Sequence, residues 1–199
     1  MRAQLAIPLK RLETQPAMTQ PVEDLDIIRR MTAGDDDAMR DLYALYGQRL
    51  YAYALRLTND PATAEDVTQG TLVAAWRSAG AFRGEGRLIA WLLGIVHHTA
   101  MKTLRGETQS LDDAVEEIAS QDQPSPEEQA QTMDERRRVR QGMQSLSAQH
   151  RAVLDLIFYQ GLSFREAAQV LNVPVGTVKS RLSYARDHLR GVLARTEER

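Results

Sequence analysis

"SFREAAQVLNVPVGTVKSRLSYARDHLR", Ser163 to Arg190, carries the densest set of local folding signals in the chain. Ser163 with Glu166 three residues on forms a capping box, in which each side chain bonds the other residue's backbone N–H. It opens a short helix, "FREAAQVL". Asn172 tolerates the left-handed conformation of a tight turn, and Pro174 carries a φ suited to starting the next helix. Small Ala168 lets the two helices approach, Val173 follows the turn inward, and Val178 plugs the second helix into a shared core. Two helices joined by a three- to four-residue turn predict a helix-turn-helix. An ordinary helical hairpin fits the same spacing, so the outer face must discriminate.

At about 100° per residue, Leu182, Ala185 and Leu189 fall within about 40° of Val178. Ser180, Ser183, Tyr184 and Asp187 lie opposite, with Lys179, Arg186 and Arg190 on one flank. Base contacts come mainly from the N-terminal part of such a helix. Lys179, Ser180, Ser183 and Tyr184 are therefore candidate base readers. Arg186 and Arg190 are candidate phosphate contacts, which position a protein without specifying sequence. Arg181 lies near the core boundary, where a structural or backbone-contact role fits better than base reading.

Charge supports a nucleic-acid partner, although the 199-residue chain has a net charge of −2. Residues 1–105 sum to +1, residues 106–135 to −10 with no Lys or Arg, and residues 136–199 to +7. Any single Lys or Arg reads equally well as a solvated surface charge. The basic total of the last block favours DNA, and the acidic segment hides that block in the overall count.

Composition removes other classes. There is no cysteine, hence no disulfide framework, Cys-ligated zinc or thiol nucleophile. No apolar run approaches the ~20 residues that cross a bilayer. The first residues lack a secretory core, which predicts a cytoplasmic protein.

Outside the helix-turn-helix the periodicity is also helical, beginning at Asp24. Met39, Leu42, Tyr43, Tyr46, Leu50, Tyr53, Ala54 and Leu57 share one predicted face. "TNDP" (58–61) stops that helix, and Asp60 caps the next, with Pro61 at its first position. That helix runs to about Ala79. "GAFRGEG" (80–86) is a loop, and a further helix spans about Leu88 to Arg105. Its expected buried stripe is Leu88, Leu92, Ile95, Val96 and Thr99, with Trp91 at the edge. Residues 106–133 read as a flexible acidic tether, with "SLDDAVEEIA" as a weak helix inside it. Val139, Met143 and Leu146 make another stripe. Ser147 caps the following helix, and Gly161 ends it. The expectation is all-α: a disordered extension (1–22), a helical domain (23–105), the linker (106–133) and a second helical domain (134–199).

Two segments together resemble a known family. "AEDVTQGTLVAAWRSAGAFRGEGRLIAWLLGIVHHTAMKTLR" (64–105) resembles the second conserved region of bacterial sigma factors. "LSAQHRAVLDLIFYQGLSFREAAQVLNVPVGTVKSRLSYARDHLR" (146–190) is similar to the fourth. Their order and the short linker match the extracytoplasmic-function (ECF) group. The resemblance implies a non-catalytic promoter-specificity subunit of bacterial RNA polymerase that reads the −35 and −10 elements and melts the latter. Asp66 and Gln69 match positions that dock on the β′ clamp helices of core polymerase. The β flap, promoter DNA and an anti-sigma factor are the other implied partners. No cofactor, metal or small-molecule substrate is implied.

For the −10 element the resemblance implies Phe82, Arg83 and Arg87 in the loop, where a flipped base needs an aromatic surface and cations. Phe82 reads equally as a core residue pinning that loop. His97, His98, Lys102 and Arg105 on the next helix complete the −10 set. For the −35 element it implies Arg165, Thr177, Lys179, Ser180, Arg181, Ser183, Tyr184 and Arg186. The chain departs from the family at Gly70 (commonly Glu), His97-His98 (commonly Arg-Asn), Lys102 (commonly Asp) and Tyr184 (commonly Arg). Loss of a bidentate guanine contact at 184 would alter specificity by ~1–3 kcal/mol.

Two other functions compete. A stand-alone helix-turn-helix regulator of the response-regulator type would dimerise and bind its operator tightly without polymerase, but residues 24–105 lack the strand–helix alternation of a receiver domain. A metal hydrolase would need ligand spacing. Adjacent His97 and His98 point about 100° apart on a helix and do not converge on one ion.

Overall fold

The computed structural model describes residues 21–108 and 141–197, and every regular element among them is helical. Helix α1 spans Pro21–Thr32, α2 Asp36–Thr58, α3 Pro61–Ser78 and α4 Leu88–Thr108. After a helical turn at 141–144 come α5 (Ala148–Leu154), a π-helical turn (Asp155–Tyr159), α6 (Phe164–Leu171) and α7 (Val175–Glu197). The expected weak helix at "SLDDAVEEIA" lies outside the described residues, as do the extension before Pro21 and most of the tether.

The single helical run expected from Asp24 is two helices. Gly34 adopts φ +80, and Asp35 caps α2 by accepting from the Asp37 N–H at 3.0 Å. Arg30 then ties the corner, bonding Asp35 at 2.7 Å and Asp41 at 2.6 Å. On α2, Leu42, Tyr46, Leu50, Tyr53, Ala54 and Leu57 are buried as expected, but Tyr43 is 59% exposed. Its ring lies over Gly47, where an added Cβ would meet it at 2.7 Å.

Asp60 caps α3 through the Thr63 N–H at 2.7 Å, with Pro61 in the first turn. Ala64, Val67, Thr68, Thr71 and Ala75 pack inward. On α4 the buried set is Leu88, Ile89, Leu92, Leu93, Val96 and Ala100. Ile95 and Thr99 are only half-buried, a correction to the expected stripe. The helix is packed by α2 and α3 on one side and α6 on another, which turns its core face toward Ile89, Leu93 and Ala100. It also runs past the expected Arg105 to Thr108.

The C-terminal block follows most of its local signals, although Ser147 occupies the cap position of α5 without the expected side-chain capping bond, its hydroxyl meeting His150 Nδ1 instead. Ser163 and Glu166 make both capping-box bonds, at 3.2 and 2.8 Å. Asn172 takes φ 51 at the turn, and Val178 and Ala185 are fully buried. The π-helical turn between α5 and α6 has no sequence signal.

The two blocks pack against each other, α5 on α2 and α6 on α4, and their buried residues form one apolar cluster. Asp155, with no exposed surface, pairs with Arg56 and accepts from Gln160 Nε2 at 3.0 Å. Arg49 donates to the Gln160 side chain at 3.2 Å and its carbonyl at 3.3 Å. Arg151 donates to the Leu57 carbonyl at 3.0 Å, satisfying the C-terminal end of α2. The Arg56 guanidinium also lies 4.5 Å from the Tyr159 ring centroid. Burial pushes the Asp155 carboxyl above the usual carboxylate range, while Arg56 pulls it down.

Candidate nucleic-acid interface

The second helix of the helix-turn-helix presents the residues expected to face bases. Lys179, Ser180, Ser183 and Tyr184 are exposed on α7, with Arg186 beyond them. Arg165 is exposed at the start of α6, and Thr177 is half-buried in the first turn of α7. Lys179 Nζ lies 5.9 Å from the centroid of Phe164, which comes from the first turn of α6. Ser180 Oγ bonds the Thr177 carbonyl at 3.1 Å, its oxygen lone pairs left available. Tyr184 is 56% exposed yet stacked on His150 and His188.

The 80–87 loop and α4 form the second candidate surface. Phe82 is half-buried against Trp91, ring centroids 5.4 Å apart, so it pins the loop to α4. Arg83 and Arg87 are exposed. Arg87 reaches across to the C-terminal block, donating to the Gly161 carbonyl at 3.4 Å and approaching Glu166 at 3.9 Å. His98, Lys102 and Arg105 are exposed along α4.

His97 is placed differently from its neighbour. It turns inward, with Nδ1 3.1 Å from the hydroxyl of buried Tyr53. Burial first, then the nearby charges of Arg181 and His98, lower its pKa to about 4. It is therefore neutral near pH 7. The two adjacent histidines diverge as helix geometry demands. Among the described residues no group of three or more His, Cys, Asp or Glu could hold a metal ion.

Between α4 and the helix-turn-helix lies a groove of about 1350 Å³. Phe82, Arg83, Arg87, His97, His98 and Arg105 line one side, and Gln169, Asn172 and Arg181 the other. The structure thus brings most of the expected −10 set together with Arg181, while the other −35 candidates lie outside that lining. Asp66 and Gln69 are apart from it, exposed on α3 opposite its buried face.

Comparison with known proteins agrees with this layout. The sigma-70 region 2 pattern matches residues 42–110 and the sigma-70 region 4 pattern residues 142–191. The ECF RNA polymerase sigma factor SigK of Mycobacterium sp. (strain JLS) is 34% identical over 187 residues, covering 88% of this chain and 95% of that protein. The chain belongs to the ECF sigma factor family.

As a sigma factor it is a promoter-specificity subunit of RNA polymerase. Its fold resembles the sigma factor RpoE of Bartonella quintana, solved with the anti-sigma factor NepR. The TM-score is 0.65 with 29% identity, covering 78% of this chain and 96% of that one. It also resembles CnrH, solved with the cytosolic domain of CnrY (TM-score 0.63, 25% identity, covering 86% of this chain and 97% of that one). No helix among the described residues is long and apolar enough to cross a membrane.

Sequence reasoning missed His150 and Phe164 as neighbours of the exposed α7 face. Phe164 reads as one more apolar residue of a capped helix. His150 precedes Tyr184 by 34 residues and shares no periodic face with it.

Proposed function

We propose that this sigma factor divides its work between residues 23–105 and 134–199. The first unit binds core polymerase through Asp66 and Gln69 and holds the −10 element. For that it uses Phe82, Arg83, Arg87, His97, His98, Lys102 and Arg105. The second reads the −35 element through Arg165, Thr177, Lys179, Ser180, Arg181, Ser183, Tyr184 and Arg186. The protein acts in the cytoplasm, performs no catalysis of its own, and is held inactive by an anti-sigma factor.

One observation carries the −35 assignment. Lys179, Ser180, Ser183 and Tyr184 form an exposed run on the N-terminal half of the second helix of a capped helix-turn-helix. Such helices present base-contacting residues there. The exposed Asp66 and Gln69 support the docking reading, because no fold requirement occupies them.

Run-off transcription tests the whole assignment. Core RNA polymerase plus this protein should start specific transcripts from a genomic promoter library, and neither should do so alone. Tight, sequence-specific DNA binding by the isolated chain, with no transcript when core is added, would sink the reading. Asp66→Ala with Gln69→Ala should weaken core binding about tenfold, measured by fluorescence titration, on the scale of ordinary interface contacts.

A further inference from the structure

Tyr184 does not stand free on the reading face. Its ring packs on His150, centroids 4.4 Å apart and planes 30° from parallel. His188, one turn along α7, also stacks with it, centroids 6.2 Å apart and planes 16° from parallel. The two histidines come from different elements, and both are held by one short segment, Ser145–Leu146–Ser147, anchored by buried Leu146.

Each hydroxyl of that segment takes one imidazole. Ser147 Oγ lies 2.7 Å from His150 Nδ1, and Ser145 Oγ 2.8 Å from His188 Nε2. Ser145 also donates to the Gly142 carbonyl at 2.8 Å. A hydroxyl has one proton, so Ser145 accepts from His188, whose Nε2 carries the hydrogen. Ser147 occupies the cap position of α5 but makes no side-chain bond to the backbone there. Its hydroxyl orients His150 instead. Burial, with Arg181 and His188 nearby, lowers the His150 pKa, which keeps the ring in the uncharged form near pH 7.

An exposed tyrosine on a helix ordinarily samples several rotamers, and ordering it against DNA costs side-chain entropy. Stacking against oriented rings, His150 above all, selects one rotamer before DNA arrives. The ring then presents a fixed apolar surface and a hydroxyl. In the major groove the apolar surface fits the thymine methyl, and the phenol offers one hydrogen bond.

We propose that His150 is a positioning residue for promoter recognition: with His188 it locks Tyr184 into one orientation, and the locked ring sets a base preference, for thymine, within the −35 element. This rests on the reading of α7 as the −35 contact.

Competitive run-off transcription with core polymerase, on promoters randomised across the −35 element, tests it. Tyr184→Ala should reduce discrimination at one position about tenfold, the scale of a lost base contact. His150→Ala should flatten the same position, and His150→Phe, which keeps a ring, should restore most of the preference. Ser147→Ala, which removes only the orienting hydroxyl, should move it in the same direction as His150→Ala and guards against misfolding of the larger truncation. If Tyr184→Ala changes the preference while His150→Ala and Ser147→Ala leave it at the wild-type profile, the positioning role is overturned and the −35 reading stands. If Tyr184→Ala changes nothing, or the preferred base is not thymine, the base assignment is overturned. If the wild-type protein selects no sequence at all upstream, the −35 reading falls and takes the proposal with it.

Discussion

Between Tyr53 and His97 the fold sets a charge state. Tyr53 is fully buried, and burial pushes its phenol well above the ordinary tyrosine range, so it stays protonated and suits a neutral imidazole as partner. The lowered pKa of His97 means the unfolded chain binds a proton that the folded chain refuses between about 4 and 6.5. Stability from this residue is therefore present above pH 6.5 and lost as pH falls toward 4. The full effect is about 3 kcal/mol at most. Thermal melts from pH 4 to 7 should show a steeper acid loss for the native protein than for His97→Asn. Equal slopes would mean His97 titrates normally.

At the scale of elements, the helices are set by their ends more than by their middles. Ser163→Ala removes half of the α6 capping box and should cost about 1 kcal/mol in urea denaturation. Asn172 holds φ 51, which a residue with an ordinary Cβ resists. Asn172→Ala should cost about 1 kcal/mol, and Asn172→Gly should be neutral or slightly stabilising. Gly70 is the opposite case. It lies mid-α3 without a positive φ, and a Cβ there would sit 3.8 Å from Thr99 Cγ2, ordinary contact. Gly70→Ala should raise stability by about 1 kcal/mol, read as a higher Tm. A lower Tm would show that α3 needs a glycine for a reason the packing does not contain. The caps at Asp60, Ser163 and Asn172 were legible because each acts within four residues of itself. The break at Gly34-Asp35 carried the same kind of signal, but the apolar period running on either side masked it. The π-helical turn at Asp155–Tyr159 carried none, because it is fixed by what Asp155 meets on α2.

For the whole molecule, the seam between the blocks is the decisive feature. Removing Arg56 leaves the Asp155 carboxylate buried without its cation. Because Arg56 keeps 30% of its side-chain surface in water, Arg56→Ala should cost about 2–3 kcal/mol, below the range for fully buried pairs. Replacing both by apolar residues, Arg56→Met with Asp155→Leu, should recover most of that loss in the same urea titration. A double variant no better than Arg56→Ala would show that the seam depends on the charges themselves. The same seam holds Arg87, a loop cation of the proposed −10 set, against Gly161 and Glu166 of the other block.

Helical class, the capped helix-turn-helix, the three-part charge division and the family were legible from the residues alone. All of these are encoded in spacings of a few residues or in local composition. The tertiary structure decided what those helices meet. It packed the two blocks into one core, exposed Tyr43, turned His97 inward to Tyr53, and stacked Tyr184 on His150. The physical reason is distance along the chain. Arg56 and Asp155 are 99 residues apart, and Tyr53 and His97 are 44. Helical periodicity says which face is apolar, but a polar side chain acquires its partner, and with it its charge state and orientation, only when another element is brought against it.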